Sequence, residues 1–325
     1  MRVLLSARVR LSQLFIFAVI ATICLGVFSA NGASGADPVT IRFGTLPVLQ
    51  ALPLYVAQEK GRFQKHGVKV ELVPFNTAAE KDIALTTNNI DWYFGDLVTP
   101  MVLKGNGRDV VIIATTYDTR HDRRMFAVLG KPGSKYKSIG ELAGVLVAVS
   151  SNSVIDQVTE RLLTSAGVPS DHIERLESKN IPLLMQMLLS GQVEAATLPE
   201  PLVTAALARG AVLLGDDSGL GTSQTVLAFS GPFLREHGQL VKKFMQAVAE
   251  AHVLVDKQPE TVRSVMVEHT RLPEPLKDSY PVPRFPAPRA PDKEAVQIIA
   301  DWLRGRGVIK PALTYEQVVN ADFIP

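Results

Sequence analysis

Strand-like and helix-like segments alternate along the chain from residue 39 onward. Between residues 39 and 43 every second residue is apolar, which predicts a first strand that ends at Thr45. Between Val241 and Val255 the apolar residues recur every three or four positions, which predicts an amphipathic helix. Alternation of these two periodicities predicts an α/β fold with mostly parallel sheets.

One local pattern occurs twice, about 100 residues apart, at residues 85–91 and 188–194. Each copy has a helix end, an Asn or Gly able to adopt a left-handed conformation, an aliphatic residue and an acid. Each then continues through a short strand into Leu-Val-Thr, at residues 97–99 and 202–204. Two similar α/β lobes would explain the repetition. Chance matching of common residues is the alternative.

The first 36 residues have the three-part layout of a secretory signal peptide. Three arginines give a positive start, an apolar run follows from residue 14 to residue 28, and a small, polar stretch ends at Ala36. We therefore expect cleavage after Ala36 and a periplasmic mature chain. An uncleaved anchor is the alternative, although the apolar run is short for a membrane span.

The single cysteine of the chain, Cys24, lies inside this apolar run. A lipid anchor at this position is disfavoured because the preceding Ile23 is not a small residue, so we interpret Cys24 as an apolar filler. The mature chain then has no disulfide, no thiolate metal ligand and no cysteine nucleophile.

Charge and motif content argue against several functional classes. The chain has 34 basic and 32 acidic residues and no prominent basic run, so nucleic acid is not an expected partner. Its six histidines include no pair at metal-ligand spacing. It has no G-x-S-x-G elbow, phosphate-binding loop or G-x-G-x-x-G sequence. We therefore expect neither an enzyme nor a bound metal or cofactor.

Residues 271–292 contain seven prolines. Proline lacks a backbone N–H and fixes φ, so this stretch cannot form an ordinary helix or a central strand. It is predicted to form an extended surface strap or part of a cleft rim.

Several short motifs occur in order over about 280 residues behind the expected signal peptide. They are Ile41 to Thr45, Leu52 to Ala57, Gly61 to Phe63, Gly67 to Glu71, Ala84 to Asp96, Ser138 to Gly144, Ser150 to Ser153, Glu200-Pro201 and Tyr315 to Pro325. Through these motifs the chain resembles the periplasmic substrate-binding proteins of ABC importers of the nitrate, sulfonate and taurine class, including the branch related to pyrimidine-precursor binders. A departure occurs at Asn76-Thr77, where relatives often have glycine-rich sequence.

The resemblance implies a type II periplasmic-binding-protein fold with two lobes. Each lobe would be a mostly parallel sheet flanked by helices, and a two-strand hinge would join them beside a ligand cleft. We expect residues 37–125 and 226–325 in lobe 1 and residues 126–225 in lobe 2, with crossings near 122–126 and 221–228. The resemblance also implies a monomer that delivers a small molecule to an inner-membrane permease with its ATPase. A periplasmic sensory module remains an alternative. An enzyme like the family's pyrimidine-forming relative is disfavoured, since that enzyme uses a cysteine-rich motif.

Polar side chains follow the ends of the predicted strands, where such folds bind ligands. The residues from Ser150 to Ser153 also begin a predicted helix, whose free backbone N–H groups form a donor nest. Ser151 and Ser153 are equally expected as helix caps without a ligand role. The candidate ligand-binding residues are Thr45, Gln50, Asn76, Thr77, Asp96, Tyr117, Ser151, Asn152, Ser153 and Glu200.

Two of these candidates, Asp96 and Glu200, are acids that follow the strands of the repeated units. Two carboxylates in one cleft would suit a ligand with N–H donors, such as an aminopyrimidine or another nitrogen heterocycle. Tyr55, Trp92 and Tyr117 are candidates to stack on a flat ring, with core packing the alternative for the first two. A sulfonate, nitrate or other oxyanion is the alternative ligand. The alternative role of the two acids is a structural ion pair with Arg123 or Arg124.

Overall fold

The computed structural model describes residues 39–119 and 123–325. The expected signal peptide and Cys24 lie outside these residues. Among the described residues, the strands are β1 (Thr40–Thr45), β2 (Lys69–Pro74), β3 (Trp92–Asp96), β4 (Val110–Asp118), β5 (Phe126–Gly130), β6 (Val147–Val149), β7 (Arg175–Glu177), β8 (Ala195–Pro199), β9 (Val212–Asp216) and β10 (Gln224–Ser230).

Helices connect and flank these strands. The α-helices are α1 (Leu52–Glu59), α2 (Arg62–Lys65), α3 (Ala78–Thr86), α4 (Val98–Gly105), α5 (Val154–Ser165), α6 (Ile181–Leu189), α7 (Leu202–Ala208), α8 (Gly231–Lys257), α9 (Arg263–His269), α10 (Lys293–Gly305) and α11 (Tyr315–Val318). No helix in the described part of the chain is long and apolar enough to cross a membrane.

The strands form two five-stranded sheets. Sheet 1 has the order β2-β1-β3-β10-β4, and sheet 2 has the order β7-β6-β8-β5-β9. β10 is antiparallel to both of its neighbours, and so is β5, whereas the other ladders are parallel. Four strands of each sheet therefore share one direction, which confirms the expected two-lobed α/β fold with mostly parallel sheets. Periodicity gave no sign of the reversed strand in each sheet.

The two repeated sequence units occupy equivalent places in the two sheets. β3 is the central strand of sheet 1, and β8 is the central strand of sheet 2. The predicted left-handed caps precede them, because Asn88 has φ 58° and Gly191 has φ 75°. The repetition in the sequence thus reflects two lobes with the same strand arrangement.

The chain crosses between the sheets twice, from β4 to β5 and from β9 to β10. The second crossing ends earlier than expected, because Gln224 already pairs with Asp118 in sheet 1. Gln224 and Thr225, which we expected in lobe 2, are therefore in a strand of sheet 1. The remaining lobe boundaries stay a prediction.

Aromatic packing holds α8 against sheet 1. Phe244 of this helix stacks on Phe43 at 5.5 Å and on Phe63 at 5.3 Å between ring centroids. Trp92 is fully buried in the same core, so it does not face a ligand. The Ser230 hydroxyl caps the first segment of α8 by accepting a hydrogen bond from Phe233 N, and a kink at His237 (φ −123°, ψ 28°) separates this segment from the one with the predicted apolar stripe.

Candidate functional site

A cavity of about 210 Å³ lies between the two sheets, and we call it the cleft cavity. Its walls include residues that follow β1 and β6, and the carboxyl ends of β3 and β8 themselves. Parallel strands of an α/β sheet present their carboxyl ends at one edge, which is where such folds bind ligands. Contributions from both sheets mean that one molecule in this cavity would touch both lobes.

Four predicted ligand-binding residues line the cleft cavity: Gln50, Thr77, Asp96 and Ser153. Two of them also begin helices. The Thr77 hydroxyl accepts a hydrogen bond from Glu80 N at 3.2 Å, and the Ser153 hydroxyl accepts one from Ile155 N at 3.2 Å. Capping and cavity lining thus coincide at these two positions.

Asp96 also has a local structural role. Its Oδ1 accepts a hydrogen bond from Thr99 N at 3.0 Å, in the first turn of α4. In the described part of the chain no hydrogen bond reaches Oδ2. One carboxylate oxygen is therefore used by the fold, and the other is available to a ligand.

Lys81 is a cavity residue that the sequence analysis missed. Its side chain is fully buried, and its Nζ donates to the Phe94 carbonyl at 3.0 Å and lies 3.4 Å from the Tyr93 ring centroid. Burial lowers its pKa to about 8, partly offset by the negative charges of Asp82 and Asp96. A lysine on an amphipathic helix gives no sequence sign that it points inward.

Other groups around the cleft cavity also carry full or partial positive charge. Lys179 lines the cavity from lobe 2, where its Nζ donates to the Ser151 carbonyl. The helices α3, α5 and α6 begin at or directly after cavity residues, and a helix N-terminus carries partial positive charge. The rest of the wall is largely apolar, formed by Leu46, Val48, Phe94, Met125, Phe126, Val154, Ile155 and Ile181. The cavity is therefore suited to a molecule with an apolar body and a polar group.

A second cavity, of about 620 Å³, lies beside the crossings, and we call it the strap cavity. The proline-rich stretch supplies one wall of this cavity through residues 276–284 and does not line the cleft cavity. Gln50 and Met125 line both cavities. Tyr117 and Glu200, two predicted ligand-binding residues, line the strap cavity and not the cleft cavity.

Glu200 is held by several partners. Its Oε1 accepts from Arg124 Nε at 2.8 Å, and its Oε2 accepts from the Thr204 backbone N at 3.2 Å and hydroxyl at 2.8 Å. The ion pair with Arg124 that we gave as an alternative is therefore present. Tyr280 lines the same cavity. Its pKa is raised, mainly because the phenol is buried and secondly because the negative charge of Glu200 is near. Asp96 and Glu200 cap equivalent helices of the two lobes, but they do not share a cavity.

The remaining four predicted residues line neither cavity. The Thr45 hydroxyl is buried against the Tyr55 hydroxyl at 2.8 Å, and Asn76 accepts a hydrogen bond from Arg271. Ser151 offers its carbonyl to Lys179. Asn152 is left-handed at φ 54° and its backbone N donates to Asp156 Oδ2 at 3.1 Å.

One group of described residues could hold a metal ion. Potential ligand atoms of Glu59, Glu268 and His269 lie within 4.8 Å of one another. His269 already hydrogen-bonds Glu59 and stacks on Tyr55 at 4.4 Å between ring centroids. None of the three lines either cavity.

Residues 49–262, more than half of the chain, match the model of the NMT1/THI5-like family. The chain belongs to the NMT1/THI5-like family. No curated protein sequence matches it. The resemblance drawn from the motifs is thereby confirmed, and this NMT1/THI5-like protein has many structural neighbours.

Three solved structures illustrate the shared fold. The periplasmic aliphatic sulphonate-binding protein SsuA of Escherichia coli is 20% identical, with TM-score 0.75 over 86% of this chain and 92% of that one. The alkanesulfonate-binding protein SsuA of Xanthomonas axonopodis pv. citri, bound to MOPS, is 19% identical, with TM-score 0.75 over 88% and 99%. A desulfurization enzyme, DszB, is 16% identical, with TM-score 0.68 over 87% and 97%. At these identities the likeness establishes the fold, which binding proteins and an enzyme share.

Proposed function

We propose that this protein is the extracytoplasmic solute-binding component of an ABC importer. It binds a small organic molecule in the cleft cavity and delivers it to an inner-membrane permease with its ATPase. One observation carries the proposal: both lobes line the cleft cavity at strand carboxyl ends. A ligand there gains its full set of contacts only when the lobes are together, which is how binding drives closure. The fold shared with periplasmic sulfonate-binding proteins supports this role.

The ligand class that the cleft cavity favours is an organic anion with an apolar body, such as an alkanesulfonate. Lys81, Lys179 and three helix N-termini supply positive charge. Asp96 is the single carboxylate among the lining residues, and one of its oxygens already caps α4. The apolar wall would cover an alkyl or aryl group.

A nitrogen-bearing ring, such as an aminopyrimidine, is the second candidate. The free Oδ2 of Asp96 favours it, because a carboxylate oxygen accepts hydrogen bonds from N–H donors. The second acid expected to support such a ligand, Glu200, lines the strap cavity instead and is paired with Arg124.

Calorimetric titration with alkanesulfonates, aromatic carboxylates, nitrate and aminopyrimidines separates the two ligand classes. For an anion, Lys179→Gln should weaken binding about tenfold, since a hydrogen bond to a charged group is worth about 1.5–3 kcal/mol. For a nitrogen base, Asp96→Asn should weaken it by a similar factor. Lys135→Gln removes an exposed lysine that lines neither cavity and is the matched control. A parent protein that binds no member of the panel would contradict the solute-binding role.

Export is tested separately by the intact mass of the protein recovered outside the inner membrane. The proposal requires cleavage after Ala36, so that the mature chain begins at Asp37. A retained leader or a diacylglycerol on Cys24 would contradict this part of the proposal and would leave the ligand argument unaffected.

A further inference from the structure

An arginine outside both cavities joins the two lobes at a point far from the crossings. α10 belongs to lobe 1, where its apolar face packs with α4 and β4. It begins beside the second crossing, because Asp292 N donates to Gln224 Oε1 at 3.3 Å. At 1.5 Å per residue, its 13 residues carry the chain about 20 Å from that point to Arg306.

Arg306 reaches from lobe 1 to a helix of lobe 2. Its Nη1 lies 3.0 Å from Asp156 Oδ2 and 3.2 Å from Glu160 Oε2. Both acids are on α5, which packs on β5, β6 and β8 of sheet 2. The Trp302 ring lies 5.0 Å from the Arg306 guanidinium and restricts its direction.

Lobe 2 alone does not balance the charge of these acids. Arg175 also contacts both, with Nε 2.9 Å from Asp156 Oδ1 and Nη2 2.7 Å from Glu160 Oε2. Within the part of the chain that the structure describes, the two carboxylates thus share one arginine of lobe 2, and Arg306 supplies the second positive charge. The Asp156 side chain is fully buried, so losing one of its partners leaves a costly, poorly compensated charge.

The same carboxylate fixes a turn of the cleft cavity. Asp156 Oδ2, the atom that contacts Arg306, also accepts a hydrogen bond from Asn152 N at 3.1 Å. Asn152 is left-handed and lies between Ser150 and Ser153, which both line the cleft cavity. A single oxygen atom therefore links the contact between the lobes to the ligand-binding turn.

We propose that Arg306 is a positioning residue for ligand binding, which keeps the lobes close and holds the 150–153 turn in place through Asp156 without touching the ligand. Loss of this ion pair opens the ligand-free protein. It also weakens binding, because part of the affinity must then be used to close the lobes and order the turn. The second consequence rests on the proposed solute-binding function, whereas the first does not.

The first experiment measures the distance between the lobes without any ligand. Since no cysteine other than Cys24 occurs in the sequence, Ser165→Cys on α5 and Lys310→Cys after α10 give two unique sites for nitroxide labels. Pulsed electron paramagnetic resonance should show a longer and broader distance distribution for Arg306→Gln than for the parent. Arg306→Lys should lie between them.

Arg304→Gln is the matched control, because Arg304 is on the same helix end and, among residues 39–119 and 123–325, pairs only with Asp301 of its own helix, at 3.5 Å. It should leave the distribution unchanged. In 1 M NaCl, where the screening length is about 3 Å, the parent should shift toward the Arg306→Gln distribution. If Arg306→Gln fails to fold, the Lys variant and the salt series decide the question instead. Identical distance distributions in the parent, Arg306→Gln and Arg306→Lys would overturn the proposal. If Arg306→Gln does not fold, the proposal is overturned when Arg306→Lys matches the parent and salt leaves the parent's distribution unchanged.

The second experiment uses 1-pentanesulfonate as the probe. Arg306→Gln should raise the calorimetric Kd about tenfold, a factor equivalent to one broken ionic contact, while Arg304→Gln should not change it. A wider distance distribution with an unchanged Kd would refute the link to the 150–153 turn. If the parent does not bind the probe, the proposed ligand class fails, and the distance measurement still judges the role of Arg306.

Discussion

Asp217, in the second crossing, should make the stability of this protein fall as pH rises from about 4 to about 7. Its side chain is fully buried, and Oδ1 accepts hydrogen bonds from Met125 N at 2.8 Å and Phe126 N at 3.0 Å, where the first crossing joins β5. Burial raises the pKa of this carboxyl from 3.8 to about 6, although the hydrogen bonds act in the opposite direction. The folded state thus holds a proton on Asp217 at pH values where the unfolded state has lost it.

The sign and size of the effect follow from this shift. The stabilisation from the protonated carboxyl is complete below pH 3.8 and is lost as pH rises through about 6. A difference of about 2 units corresponds to roughly 3 kcal/mol. Asp217→Asn cannot ionise and keeps an oxygen acceptor for the two backbone N–H groups. Relative to the parent, it should therefore gain about 2–3 kcal/mol between pH 4 and pH 7.5.

Urea unfolding at several pH values, followed by the fluorescence of Trp92 and Trp302 and by circular dichroism, measures this difference. The comparison with the parent is needed because His252, whose pKa is lowered by burial to about 4, destabilises the protein as pH falls through the range from 6.5 to 4. That contribution is present in both proteins and cancels. Asp171→Asn, at an exposed position, is the control and should give a constant difference.

Asp217→Ala separates the charge from the hydrogen bonds. It leaves two buried backbone donors without their acceptor, so it should destabilise the protein by about 2–5 kcal/mol at pH 4. Because alanine cannot ionise either, its difference from the parent should change by the same margin of about 2–3 kcal/mol between pH 4 and pH 7.5 as that of Asp217→Asn, and the two variants should stay a constant distance apart. A gap between Asp217→Asn and the parent that stays within about 0.5 kcal/mol from pH 4 to pH 7.5 would refute the reasoning, since one ionised carboxyl shifted by a pKa unit already gives more.

Three further substitutions test packing and buried hydrogen bonding. Gly105→Ala should lower Tm although alanine favours helices, because its Cβ would lie 2.5 Å from Ile309 Cγ2; an unchanged or higher Tm in a fluorimetric melt would contradict the model of a close contact. Phe244→Ala should remove about 3–5 kcal/mol of unfolding free energy, because the ring stacks on two others at 5.3 and 5.5 Å; a loss below about 1 kcal/mol in urea titration would be too small for this site. Thr159→Val should lower the free energy of unfolding by about 1–3 kcal/mol, because it removes the hydroxyl that lies 2.6 Å from the Thr197 hydroxyl. Adding Thr197→Val should restore part of this free energy, and no recovery would argue against the pairing.

The sequence predicted the elements of the fold better than their arrangement. Strand and helix periods persist because each element buries one face, so the alternation of residues 39–43 gave β1 almost to the residue. The reversed strand β10 could not be read in the same way. Its apolar run, from Val226 to Phe229, looks the same in either direction, and its place between β3 and β4 is set by contacts distant in sequence.

The candidate site was predicted in part for a related reason. The strand-end rule found Gln50, Thr77, Asp96 and Ser153 because it depends only on local chain order. It could not separate Asp96 from Glu200, since their cavities are defined by how the lobes meet. It also missed Lys81, because a buried ammonium depends on partners such as the Phe94 carbonyl that no spacing in the helix reveals.

The position of β10 also affects the order in which the two lobes can be completed. Sheet 2 is made from one continuous stretch of chain, from β5 to β9. Sheet 1 has β3 and β4 on either side of a strand that the chain supplies only after all of sheet 2. These contacts of long sequence separation are slow to form, because closing a long loop precedes any gain from pairing. During synthesis from the N-terminus, sheet 2 can therefore be completed before sheet 1. Until β10 has been made, β3 and β4 lack the strand that pairs with both of them.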